Sequence, residues 1–132
     1  MTLVRLVSRL HVALLRLGIG RRFRGNRVVV LTTLGRRSAK RRRTPLLAYE
    51  DGARLVLVAS FGGAPTNPHW FGNLTADPNV EVDGQPYTAR VAADEERATY
   101  WPRIVERYPG YAGYQAKTSR KIPLVVLEPR QG

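Results

Sequence analysis

At 132 residues the chain has the size of one domain, long enough to bury a core of its own and too short for two. Its 43% hydrophobic and 24% charged residues are a globular rather than a disordered composition, and the lack of cysteine excludes disulfides, thiolate metal sites and a cysteine nucleophile. The net charge of +12 is lopsided: Arg5 to Arg43 supply 13 cations before the first acid, Glu50, leaving nine cations against ten acids in the rest. Such a field attracts nucleic acid, anionic lipid or a small anion, and charge alone does not choose among them.

Residues 2–17 read as a basic amphipathic helix, with Leu3, Leu6, Leu10, Leu14 and Leu17 at helical spacing, Arg5, Arg9 and Arg16 on a narrow face, and Gly18 and Gly20 as its stop. At about 1.5 Å per residue it reaches roughly 24 Å, short of the about 30 Å of a bilayer core, so it is expected not to span one. Its interrupting Arg9, His11 and Arg16 also argue against a signal peptide. Two roles stay open for it: packing on the rest of the fold, or lying on an anionic membrane surface.

From Arg27 onward, short β-branched runs alternate with turn chemistry. Strands are expected over residues 28–33, 45–49, 55–59, 80–82, 87–91 and 122–127, with hairpin turns at Asp51-Gly52 and Asp83-Gly84. Asn67 and Pro68 read as the cap and first residue of a short helix ending near Ala76. Asp94, Glu95 and Glu96 open a longer helix toward Tyr108, which Pro102 should kink. The pattern implies a mainly β, α+β domain: a six-stranded barrel over residues 21–132 with flanking helices, preceded by the basic helix of residues 1–20.

Three segments carry candidate chemistry. The connection after the first long strand holds Arg36, Arg37, Ser38, Lys40, Arg41, Arg42 and Arg43 behind Gly35, a set of guanidinium, hydroxyl and backbone donors suited to phosphate. A solvated basic loop or a nucleic-acid contact is the alternative, but no aromatic residue interrupts the run, so base stacking is not expected there and nucleic acid is not the expected partner. Ser60-Phe61-Gly62-Gly63-Ala64 lets backbone approach a flat ring, although paired glycines often do no more than turn the chain. Tyr108, Tyr111 and Tyr114 recur every three residues and would line one side of a helical turn, to stack on a flat substrate or simply to pack. His11 and His69 lack partners at ligand spacing, so no metal site is expected.

In order, Gly35-Arg36-Arg37-Ser38, Thr44-Pro45-Leu46, Ala59-Ser60-x-Gly62-Gly63-Ala64, Asn67-Pro68-x-Trp70-Phe71-x-Asn73-Leu74, Tyr108-Pro109-x-Tyr111-x-x-Tyr114-Gln115 and Ile122-Pro123 resemble the deazaflavin-dependent nitroreductase and quinone reductase family. The resemblance implies a split β-barrel of the FMN-binding type that takes the deazaflavin coenzyme F420, with FMN as the alternative cofactor. It implies a cofactor set of Arg36, Arg37, Ser38, Arg42, Pro45, Val58, Ala59, Phe61, Gly62, Gly63, Trp70 and Asn73, and a catalytic set of Ser60, Tyr108, Tyr111 and Tyr114. The implied reaction is hydride transfer to a quinone or nitroaromatic, in the cytoplasm or peripherally on the inner face of the cell membrane. Three positions depart from the family pattern: Phe61 stands where many members have Lys, Ala39 and Arg41 where a Gly and a Pro are usual, and Leu47 where quinone reductases place a Tyr.

Overall fold

The computed structural model describes residues 22, 23 and 26–131. The basic helix read over residues 2–17 lies outside the described residues. Strands β1 (Arg22–Phe23), β2 (Asn26–Leu34), β3 (Arg41–Asp51), β4 (Arg54–Val58), β5 (Asn79–Val82), β6 (Gln85–Val91) and β7 (Leu124–Pro129) form one antiparallel sheet. Its order is β1-β2-β3-β4-β7-β6-β5, and a further β2–β5 pairing at Leu31 and Thr32 closes β2 to β7 into a six-stranded barrel. Helices α1 (His69–Ala76), α2 (Asp94–Arg107) and α3 (Gly110–Ala116) flank it.

Two apolar clusters explain why the strands look apolar on both faces. Leu55 and Leu57 of β4 and Val125 and Leu127 of β7 point into the barrel beside Val29, Leu31, Val80, Val82, Trp70 and Leu74. Their neighbours Val56, Leu124 and Val126 point outward and are covered by Tyr100, Ile104 and Tyr111 of α2 and α3. A strand buried on both faces reads as a continuous run rather than an alternation.

Several boundaries differ from expectation. β3 begins at Arg41, not Pro45, because Arg41, Arg42 and Arg43 pair with Leu34, Thr33 and Thr32 of β2; ladder formation outweighs the crowding of charge. Pro45 sits opposite Val30, whose N–H and C=O both bond Asp83 instead, so no bond across the pair is lost to the missing proline N–H. The last strand starts at Leu124, since the Ile122 N–H bonds the Gln115 side chain and the Pro123 carbonyl accepts the Ala59 N–H. Pro68, not Asn67, occupies the cap position of α1, and the Asn67 side chain accepts a hydrogen bond from Arg120. Ala93 precedes α2, whose first turn is closed by the Glu96 carboxylate on the Ala93 N–H at 3.0 Å; Asp94 pairs with Lys121 instead. Two hydrogen bonds from Arg90 hold the Glu96 carboxyl down at about 2. α2 runs through Pro102 as one helix from Asp94 to Arg107.

Asp83 completes the closure. In the left-handed region at φ 50°, its carboxylate accepts the Val30 N–H at 2.8 Å and Arg27 at 3.1 Å, while its own N–H donates to the Val30 carbonyl. Asp83→Gly, which suits the positive φ but has no acceptor, is expected to lower unfolding free energy by about 1–2 kcal/mol, and Asp83→Asn by less. Equilibrium urea unfolding checks this; a glycine variant with the parental midpoint would show that the carboxylate does not hold the barrel shut.

Candidate functional site

The connection from β2 to β3 is a tight loop fastened to α1. Gly35 donates to the Lys40 carbonyl and Ala39 to the Gly35 carbonyl, each at 2.8 Å, and the Lys40 N–H bonds Ser38 Oγ at 3.2 Å. Ala39 closes the turn at φ 58°, a conformation glycine adopts at lower cost, so the departure at this position is accommodated with backbone strain. Asn73, buried in α1, holds the loop: its Oδ1 accepts the Arg36 N–H at 3.2 Å and Arg36 Nη1 at 2.9 Å, and its Nδ2 donates to Thr33 Oγ1 at 3.2 Å. Arg36 Nη1 also donates to the His69 carbonyl. The guanidinium lies so close to α1 that a Cβ at Gly72 would stand 2.8 Å from its Cζ.

This clip shapes a cleft of about 510 Å³ lined by Gly35, Arg36, Arg37, Ser38, Arg42, Arg43, Thr44, His69, Trp70 and Asn73. Arg36 is spent on α1 and Arg41 pairs with Glu81. Among the described residues, Arg37, Arg42 and Arg43 meet no carboxylate. Three guanidinium groups without a carboxylate partner around one opening, with the Ser38 hydroxyl beside them, have the donor chemistry to take a phosphate-bearing anion. The indole of Trp70, largely buried in the barrel core, gives the cleft its apolar wall.

A second group of candidate residues gathers after β4. Ser60 leads into a 3-10 turn over Phe61–Gly63 in which φ is positive three times in succession, 46° at Phe61, 63° at Gly62 and 83° at Gly63. The turn presses on α3: a Cβ at Gly63 would lie 2.7 Å from the Tyr114 carbonyl oxygen. Tyr108 and Tyr114 are half-buried with hydroxyls 3.4 Å apart, and Tyr111 packs edge-on to Tyr108 at 4.7 Å between ring centroids. Burial pushes the Tyr111 phenol far above its usual range. Burial first, and then the Tyr108 hydroxyl, push the Tyr114 phenol up to about 12.

The expected site residues thus fall into two clusters joined by strand. Arg36, Arg37, Ser38, Arg42, Trp70 and Asn73 line the cleft. Ser60, Phe61, Gly62 and Gly63 form the turn against α3, which carries Tyr111 and Tyr114, with Tyr108 just ahead of it. Pro45 lies on β3, Val58 ends β4 and Ala59 is fully buried. Tyr111 is 7% exposed and sits in the outer apolar cluster rather than on an open wall. Arg43 of the basic run and Thr44 of the following motif also line the cleft, whereas sequence reasoning passed over His69 there and Arg120 behind the turn. His69 had a signal: it stands four residues before Asn73, on the same helix face. Among the described residues no group of three or more His, Cys, Asp or Glu could hold a metal ion, and no helix is long and apolar enough to cross a membrane.

A closed antiparallel barrel with a polar cleft where the β2–β3 loop meets a short helix defines a split-barrel protein. Residues 4–129 match the family described as F420H(2)-dependent quinone reductase, and the chain belongs to that family. A putative F420H(2)-dependent quinone reductase of Mycobacterium tuberculosis is 37% identical over 106 residues, covering 77% of this chain and 89% of the relative. A solved F420-H2 dependent reductase, FDR-A, is 42% identical with a TM-score of 0.69, covering 76% of this chain and 93% of its own. Another solved chain, described as a domain-swapped dimer, is 42% identical with a TM-score of 0.70, covering 76% and 79%. The family name carries the cofactor, coenzyme F420, and the class, an oxidoreductase.

The raised phenols give stability a defined pH dependence. A pKa raised from 10.0 to about 12 at Tyr114 means that the unfolded chain loses this proton first, so stability is full below about pH 10 and is lost as pH rises toward about 12. Urea midpoints measured across this window should fall with pH, and less steeply in Tyr114→Phe. Identical slopes for the two proteins would show that Tyr114 is not a dry phenol.

Proposed function

We propose that this chain is an F420-dependent reductase of quinones, holding the coenzyme's anionic end in the β2–β3 cleft and the acceptor at the tyrosine cluster. The observation that carries the reading is the trio Arg37, Arg42 and Arg43, three cations on one cleft with no acid partner among the described residues. Leaving like charges together is unfavourable without a counter-anion, so their arrangement is understandable as one completed by a ligand. When bound, reduced F420 supplies a hydride to the acceptor.

The chain's own residues would bind and orient. Arg37, Arg42 and Arg43 would take the phosphate and carboxylate oxygens, Ser38 Oγ would add a donor, and Arg36 would act as the anchor that keeps the loop on Asn73. Trp70, Pro45, Val58, Ala59 and the Phe61-Gly62-Gly63 turn would border the ring. On the acceptor side, Ser60, Tyr108 and Tyr114 would offer hydroxyls to oxygens that gain negative charge during reduction. The Tyr114 phenol, protonated at neutral pH as any tyrosine is, can donate a hydrogen bond. Tyr111 would support those two rings from behind. A flat quinone suits a wall of phenols, and a nitroaromatic presents a similar plane with two oxygens.

Titration with oxidised F420 tests the reading. The chain has two tryptophans, so Trp101→Phe leaves Trp70 as the sole indole reporter, on the wall of the cleft. Saturable quenching is expected, with Arg37→Glu weakening binding roughly tenfold or more. No saturation at micromolar coenzyme, FMN displacing F420 at equal concentration, or an Arg37→Glu variant with parental affinity would overturn it.

A further inference from the structure

Ser60 to Gly63 is an unlikely piece of backbone to stay in one shape. Phe61, Gly62 and Gly63 are left-handed in succession, and at Phe61 a Cβ makes that conformation strained. Only two backbone bonds close the turn, Gly63 N–H to the Ser60 carbonyl at 2.9 Å and Ala64 N–H to the Phe61 carbonyl at 3.1 Å. Something outside the turn must hold it.

Arg120, in the segment between α3 and β7, faces the turn. Its Nη2 donates to the Ser60 carbonyl at 2.8 Å, its Nε to the Ala64 carbonyl at 2.9 Å, and its Nη1 to both the Ala59 carbonyl at 3.2 Å and Asn67 Oδ1 at 2.7 Å. One planar guanidinium thus spans the turn from the residue before Ser60 to the approach of α1. No carboxylate pairs with Arg120 among the described residues, so its charge is answered by main-chain and amide oxygens alone. Burial lowers its pKa, yet a guanidinium stays protonated. Its own backbone is fixed as well: the Arg120 carbonyl accepts Gln115 Nε2 at 2.8 Å, and Gln115 Oε1 accepts the Ile122 N–H at 2.9 Å. Gln115 belongs to α3, the helix that carries Tyr114, so turn and phenols share one support.

We propose that Arg120 is a positioning residue of the site, its guanidinium gripping the backbone on both sides of the left-handed Phe61–Gly63 segment and so holding the shape that presents the turn to the coenzyme. The inference rests on the proposed function for the turn's role, and on geometry alone for the clamp. A lysine, with one nitrogen, cannot reach four oxygens placed around a plane, so the clamp is specific to arginine.

Amide hydrogen exchange on the coenzyme-free protein tests the clamp. In Arg120→Ala, the Gly63 and Ala64 amides should exchange roughly 10- to 100-fold faster, with the β4–β7 ladder unchanged. Arg120→Lys should fall between, and it decides the matter if the alanine variant does not fold. F420 affinity of the alanine variant should drop by a similar factor and recover on adding millimolar guanidinium ion but not sodium. Unchanged exchange at Gly63 and Ala64, or a uniform rise that includes the β4–β7 ladder, overturns the clamp. Faster exchange with parental F420 affinity overturns the positioning role. Should the parent protein not bind F420 at all, the functional reading fails while exchange still decides the clamp.

Discussion

Strand β2 is hydrogen-bonded along both edges, to β3 from Arg27 to Leu34 and to β5 at Leu31 and Thr32, and the placement of the cleft depends on this double pairing. A strand held on both sides has one register, because a slip of one residue would turn Val29 and Leu31 out of the core. That register sets Arg41, Arg42 and Arg43 opposite Leu34, Thr33 and Thr32, so part of the basic run is strand, not loose loop. It also puts Thr33 under α1, where it accepts the Asn73 amide, and Asn73 in turn holds Arg36. Barrel closure therefore fixes the loop, the helix and the direction in which the free cations face. Asp83 extends the closure by bonding the Val30 backbone where the β2–β5 ladder stops.

Much of this was legible in the sequence, for physical reasons that differ by element. The Asp83-Gly84 turn and the β-branched runs announced the six barrel strands because turn chemistry and side-chain branching act locally. The start of β3 was hidden, since three consecutive arginines read as a loop until a partner strand is known. The role of Asn67 was misread for a similar reason: a residue before Pro68 suggests a helix cap, yet its side chain is drawn away by Arg120, 53 residues distant in the chain. The basic run and the motif order pointed to the residues that line the cleft, and His69 shares a helix face with Asn73, whereas Arg120 acts through contacts between distant segments. The tyrosines were placed together correctly, but spacing alone could not tell which ring, Tyr111, would turn into the apolar cluster under α2 and α3.

A common feature links the two clamps of the site. Arg36 is held by a neutral amide and a carbonyl, and Arg120 by three carbonyls and an amide, although acids were available to the sequence. An aspartate at either place would bind its arginine more tightly, since charge-assisted pairs are the stronger ones. At Arg36 it would also cancel a positive charge on the cleft that already carries Arg37, Arg42 and Arg43 without acid partners among the described residues. Among the described residues, Glu81, Asp83, Glu96 and Glu128 pair with Arg41, Arg27, Arg90 and Arg54, none of which lines the cleft. Neutral acceptors let the guanidinium groups do mechanical work while their charge stays in the field that an anionic coenzyme meets. Among the described residues, Arg37, Arg42 and Arg43 thereby keep their charge where the β2–β3 loop meets α1 rather than spending it on internal salt bridges.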